Sequence, residues 1–213
     1  MRQLESGKYT PDRWYKNIVK ISQLPTLQKY QALIKLHNQT FLEYRKDLEA
    51  ITEKEAESIG SDKRLRKIVV AHIMGWDEFQ IQVFEDRDPL ARLHKQINFQ
   101  GYIDPDTCQS YDFTDLHDRN KSIDNFNIYQ AAKYKNWGWY KIMQRAINTG
   151  QRLKNCFPDK PSKQFLEFLE NTPLKKWKLM DNLVIIIPAG FYLWMVSLKH
   201  EAIEHRRDLV LID

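Results

Sequence analysis

The sequence predicts an all-α protein, an up-down four-helix bundle with a long crossover between helices 2 and 3 and short accessory helices. Three observations carry this expectation. Glycine is scarce, seven in 213 residues, and the eight prolines fall mostly between periodic segments. Apolar residues recur at three- and four-residue steps along several long stretches, the spacing of one helix face. No stretch alternates apolar and polar residues strongly enough to announce a sheet.

The elements follow in order. Residues 1–23 read as an N-terminal extension with a short helix from Pro11 to Ile21, where Trp14, Ile18 and Ile21 share one side. The bundle domain is expected over 24–213. Leu24-Pro25-Thr26 punctuates, and Thr26 suits an N-cap. Leu27, Tyr30, Ile34, His37, Phe41, Tyr44, Leu48 and Ile51 then predict a long helix over roughly 25–57. Gly60 reads as its terminator, with Ser61 or Asp62 as the next N-cap. The second helix carries Leu65, Ile68/Val69, His72, Trp76, Phe79 and Val83 on one stripe and runs to about Asp86, before Arg87-Asp88-Pro89.

Residues 90–120 are polar and weakly periodic, and are expected to form a short helix near 89–95 and then an irregular crossover. Ser122 to Phe157 predicts a third long helix, with Asn136-Trp137-Gly138 as a point where one helix caps and another starts. Ser162 to Glu170 is a short amphipathic helix. Leu183 onward is the most apolar run and reads as a buried loop or short helix leading into a last helix, Gly190 to Leu209.

Composition narrows the class. With 42% hydrophobic and 12% aromatic residues the chain can bury a sizeable core, and one domain is the default. The net charge of +5 permits an anionic partner, but the basic residues, Lys133 among them, are dispersed and read as solvated helix faces rather than a nucleic-acid footprint. Cys108 and Cys156 fit no CxxC spacing, which points to a reducing, cytoplasmic setting. The first eight residues contain no apolar core of a signal peptide. The run 183–198 is too short for a membrane span, and Pro188 and Gly190 interrupt it. No nucleophile elbow, phosphate loop or HExxH motif is present.

Ionisable groups on otherwise apolar stripes are the functional candidates. His72 sits mid-stripe and needs a partner if buried. Glu201 and His205, four apart, point the same way on a regular helix, whereas His200 does not point with His205 and falls on the flank unless a helix distortion brings it inward. A carboxylate and an imidazole so spaced can share a metal ion or simply hydrogen-bond, and His72 would supply a third ligand from helix two. The same three residues could instead form a buried polar pair, or act as acid and base without metal. His37 reads as a core histidine bonded to a tyrosine or carboxylate. Trp76 packs the core and can also wall a pocket. His94 and His117 have no partner spacing, and Cys156 reads as inert.

Val70-Ala71-His72-Ile73-Met74-Gly75-Trp76-Asp77-Glu78 resembles the second-helix signature of the DinB/YfiT-like four-helix bundle superfamily. Asp124-Asn125-Phe126-Asn127 resembles the third-helix start of its ClbS/DfsB-like branch, and Glu201 to Leu209 resembles the closing-helix motif. The resemblance covers about 25–213. It implies a divalent metal, such as Zn, Ni or Mn, held by three residues. Here His72 and His205 match two histidine positions, and the third falls on Glu201, a departure that admits a metal-free site. It implies a pocket between helices for a small molecule, with His37, Trp76, Asn127 and Trp194 as lining. The implied activities are a metal-dependent hydrolase or thiol transferase, or else a non-catalytic binding or self-protection protein that holds a small molecule or meets DNA. A homodimer is a further expectation of the resemblance.

Overall fold

The structure is a computed structural model that describes residues 11–61, 63–180 and 183–209. It is mostly helical, with two small sheets among the described residues, as an all-α class requires. No described helix is long and apolar enough to cross a membrane. The chain divides into two compact units. Unit 1 comprises Met1–Leu48 and Phe157–Asp213, and unit 2 is the continuous stretch Glu49–Cys156. The first ten residues of the expected extension, and the cap candidate Asp62, lie outside the described residues.

Unit 1 begins with α1 (Pro11–Ser22), whose inner side is Trp14, Tyr15, Ile18 and Ile21. Next comes α2 (Thr26–Ala50), which buries Tyr30, His37, Phe41, Tyr44 and Leu48 of the expected stripe, while Leu27 is exposed, Ile34 is half-buried and Leu33 takes the inner place. After Phe157 follow α8 (Lys163–Asn171), β3 (Leu174–Met180), β4 (Leu183–Pro188), α9 (Ala189–Lys199), a π-helical turn (His200–Glu204) and α10 (Arg206–Leu209). The core of this unit is aromatic. Phe157 stacks on Trp194 with ring centroids 3.7 Å apart, and Tyr30 meets Trp194 edge-on at 5.3 Å.

The β3–β4 hairpin replaces the loop or short helix expected at 183–188. Its residues alternate. Trp177, Leu179, Ile185 and Ile187 point inward, while Leu174 and Ile186 are each 67% exposed. β-Branched residues at 184–187 favour an extended chain, and a period of two buries every second side chain.

Unit 2 is built on α4 (Arg66–Phe84), which packs against α6 (Arg119–Tyr134), α7 (Trp139–Asn155) and α5 (Pro89–Ile97). That helix is not one-sided. Because neighbours cover several faces, it is buried nearly all round, and Ile68, His72 and Trp76 form its half-buried line instead of its inner stripe. The expected helix over 25–57 stops early. Thr52 starts α3 (Glu53–Ala56) with a capping box, its hydroxyl accepting from the Glu55 amide while the Glu55 carboxylate accepts from Thr52 N at 2.7 Å. α4 has Leu65 as its N-cap and no side-chain cap bond, so the cap expected from Ser61 is not made.

The long crossover carries structure of its own. Asp88 caps α5 with Pro89 in the first turn, and Asp118 caps α6. Between them lie β1 (Tyr102–Ile103) and β2 (Ser110–Tyr111), paired antiparallel. The expected third helix is two helices, broken at Asn136-Trp137-Gly138, with Gly138 as the N-cap of α7. Phe79, Phe99, Tyr102, Phe113 and Phe126 form the aromatic core of this unit, with Trp76 packed against it.

Candidate functional site

The candidate site lies wholly within unit 2. It is an open cleft of about 930 Å³ whose walls come from the β1–β2 turn, α6 and α7. Three features of the sequence create it. Asp104-Pro105-Asp106-Thr107 turns the chain, with Asp104 Oδ1 accepting from the amides of Asp106 at 2.7 Å and Thr107 at 3.2 Å. Such a side-chain-to-backbone turn is what a short loop aspartate does locally. Tyr129 and Lys133, four apart on α6, share one face. Lys141 and Arg145, four apart on α7, share another.

These groups close into an ion network. Lys133 Nζ lies 2.9 Å from Asp104 Oδ2 and 2.7 Å from Asp106 Oδ2. Tyr129 donates its hydroxyl proton to Asp104, and Arg145 Nη1 pairs with the other Asp106 oxygen. Arg145 also reaches inward, placing Nε 2.8 Å and Nη2 2.7 Å from Glu78 Oε1. Tyr102 and Tyr134 donate to Glu78 Oε2 at 3.3 and 3.4 Å, and Gln130 Nε2 donates to the Tyr102 hydroxyl at 3.2 Å. Glu78 is 6% exposed. A carboxylate buried that deeply needs a cation and further donors, and it has both.

The same environment sets the protonation states. Burial works against ionisation of Asp104, yet Tyr129, Lys133 and the Asp106 amide outweigh it and bring its carboxyl down to about 2. Asp106 moves the same way, burial again being outweighed, here by Arg145 and Lys133. Glu78 goes in the other direction, because burial lifts its carboxyl above the usual value even with Arg145 beside it. Burial also raises Tyr102, Tyr129 and Tyr134, so all three stay hydroxyl donors. Lys141 stands apart. Its ammonium sits 3.6 Å from the centre of the Trp137 ring, and Arg145 lies 5.5 Å from that ring.

The residues expected from the sequence fall in two groups. In unit 2, Trp76 donates its indole N–H to Asn127 Oδ1 at 3.1 Å, and His72 meets Trp76 edge-on at 6.4 Å. In unit 1, Trp194 donates its indole N–H to His37 Nδ1 at 3.1 Å. His37 is a core histidine as expected, and the Trp194 indole is one of its partners. Of the expected metal ligands, His72 stands on α4 of unit 2, while Glu201 and His205 are buried in unit 1.

The last helix corrects one geometric expectation. His200–Glu204 is a π-helical turn, which closes bonds five residues apart and so brings i and i+5 onto one side. His200 and His205 consequently stack, with centroids 5.8 Å apart. Each offers a ring nitrogen within 4.8 Å of the other's. Burial, then His205 and Lys199, hold His200 down at about 3, so its imidazole is neutral, the form that ligates metals. Cys156 matches its expected inertness. Burial and then Glu85 push its thiol up to about 12.

Sequence reasoning missed Glu78, Asp104, Asp106, Lys133 and Arg145. The i, i+4 spacings Tyr129/Lys133 and Lys141/Arg145 are visible in the sequence, but the carboxylates that face them come from elsewhere, from the turn at 104–107 and from Glu78 on α4. The chain matches no protein-family model, no curated protein and no solved structure.

Proposed function

We propose that this chain is a DinB-like, ClbS/DfsB-like bundle protein that binds a small molecule in the cleft of unit 2 without covalent chemistry. The observation that supports this most is the cleft itself, whose volume suits a small ligand and whose polar wall is held rigid by paired charges. Two features favour binding over catalysis there. The carboxylates of Asp104 and Asp106 are engaged by cations and pushed towards the ionised, weakly basic state, which makes poor general bases. The Cys156 thiol is held protonated, which makes a poor nucleophile. A role on DNA has less support, because Lys29, Lys67, Lys133, Arg145, Arg152 and Arg206 each pair with a carboxylate of the chain.

The test is a fragment screen by ligand-observed NMR, comparing the wild type with Ala132→Trp. Ala132 lines the cleft and is exposed, so the substitution fills the space without disturbing the core. Fragments that bind the wild type and lose binding in A132W support the reading. Fragments that bind both alike, or none at all, refute it.

A second reading, a divalent-metal hydrolase or thiol transferase, is favoured by the stacked His200–His205 pair. Two imidazoles at that spacing suit zinc or nickel, and a bound metal would lower the pKa of a water or thiol upon it. Metal analysis by ICP-MS decides it. About one equivalent per chain, lost in His205→Ala and His200→Ala, supports this reading, with His72→Ala testing the ligand that the resemblance adds. No metal after reconstitution with Zn, Ni and Mn removes it.

A further inference from the structure

The cleft has a chemical preference that its hydrogen-bond inventory reveals. This inference rests on the cleft being a binding site. In the lining two carboxylates (Asp104, Asp106) face three cations (Lys133, Lys141, Arg145), and one of those cations, Arg145, also pairs with buried Glu78 behind the wall, so net charge alone selects no ligand. Local hydrogen-bonding capacity does. Both oxygens of Asp104 are engaged, Oδ1 by two backbone amides and Oδ2 by Tyr129 and Lys133. Each Asp106 oxygen faces a cation. Arg145 has five N–H donors, of which three are directed at Glu78 and Asp106. Lys141 has three donors and makes its cation–π contact with Trp137. The cleft therefore offers unused donors and few open acceptors, which matches an acceptor-rich, anionic ligand.

The remaining wall is aromatic, from Tyr111, Tyr129 and Trp137. Lys141 is exposed, and its ammonium covers a face of Trp137 that a planar ring would occupy. A ligand that offers Lys141 an oxyanion replaces its cation–π contact with a charge-assisted bond and uncovers the ring for stacking.

We propose that the cleft takes a flat aromatic molecule bearing one oxyanion, a carboxylate or a phosphate monoester. Its ring lies on Trp137, and its charge is held by Lys141 and the remaining Arg145 donors. Trp137 reads the ring, and Lys141 reads the charge.

The test uses the full chain and ¹H–¹⁵N spectra. Six tryptophans give six indole signals, and Trp137→Phe identifies the relevant one. The probes are indole-3-acetate, indole-3-acetamide, tryptamine and phenyl phosphate. Saturable shifts of the Trp137 signal by indole-3-acetate or phenyl phosphate are expected, and whichever is tighter names the oxyanion. The amide and the amine should bind at least tenfold more weakly. Lys141→Ala should weaken the anions about tenfold at unchanged melting temperature, since it removes one charge-assisted bond at an exposed position. If the amide or the amine binds as well as the anions, and A132W still blocks it, the cleft stands as a site and the anion preference falls. If K141A leaves anion affinity unchanged, the role of Lys141 falls. If no probe moves the Trp137 signal, both the preference and the cleft reading are overturned.

Discussion

Arg145→Met tests the network at its centre. The substitution removes the guanidinium but keeps an apolar stem beside Tyr134 and Trp137. Glu78 then keeps a 6% exposed carboxylate with only two long tyrosine bonds, at 3.3 and 3.4 Å. Removing one partner of a buried pair costs about 3–5 kcal/mol. The Asp106 arm adds little, because that side chain is 38% exposed and solvent screens it. A loss of about 3–4 kcal/mol is expected at pH 7.5, or about 6–16 °C in melting temperature for a chain of this size. Urea unfolding followed by circular dichroism reads it. The pH dependence supplies an independent check. Burial raises the Glu78 carboxyl in the folded chain, and loss of Arg145 raises it further. The folded variant then binds a proton that the unfolded chain releases, so its deficit against the wild type must shrink as pH falls towards 4.5. Glu78→Gln added to R145M should remove that pH dependence and recover roughly half the loss, because a neutral amide can accept both tyrosine bonds. A loss below about 1 kcal/mol at pH 7.5, or a deficit that grows on acidification, would refute the reasoning.

Three further outcomes follow from single sites. Asp104 has a depressed folded pKa, so its contribution is present above 3.8 and lost as pH falls towards about 2; Asp104→Asn should flatten that part of the acid unfolding curve, and an unchanged curve counts against the role given to Tyr129 and Lys133. With its thiol near 12, Cys156 is thiolate to only about one part in ten thousand at pH 8, so iodoacetamide should label exposed Cys108 first by a wide margin, and equal rates by mass spectrometry would be inconsistent with burial. A Cβ at Gly190 would lie 2.9 Å from Leu169 Cα, a backbone atom that cannot swing aside, so Gly190→Ala should cost about 1–3 kcal/mol in thermal or urea unfolding, and a neutral result would place α8 and α9 further apart than described.

Much of the helical content was legible because burial in α1 and α2 follows a single face, as Trp14/Ile18/Ile21 and Tyr30/His37/Phe41/Tyr44 show. α4 misled for the opposite reason. A helix covered on several sides has no single stripe, so His72 and Trp76 looked innermost, while Asp77 and Glu78, off that stripe, are the more deeply buried. The hairpin was hidden by its second strand, where Leu183-Val184-Ile185-Ile186-Ile187 is apolar on both faces and carries no visible alternation. The signal available was the β-branched content, together with Lys-Trp-Lys-Leu alternating in β3. The His200–His205 pairing was not legible from periodicity, because 3.6-residue arithmetic separates residues five apart and it takes a helix distortion, here a π turn, to reunite them. The ion network was illegible because its members come from four separate segments, and each alone resembles an ordinary surface charge.

The division of the chain has a consequence for the order of its synthesis. Unit 2 is one uninterrupted segment, and unit 1 is assembled from two pieces that flank it. A ribosome releases all of unit 2 before the Trp194, β4 and α9 half of unit 1 exists. At ~5–20 residues per second, α1 and most of α2 wait several seconds, beyond the completion of unit 2, for the strands and helices that cover them. The apolar side of α2, with Tyr30, Leu33 and Phe41, is thus left without its native cover while unit 2 is completed. Chaperone binding to nascent chains should concentrate there and end when α9 emerges.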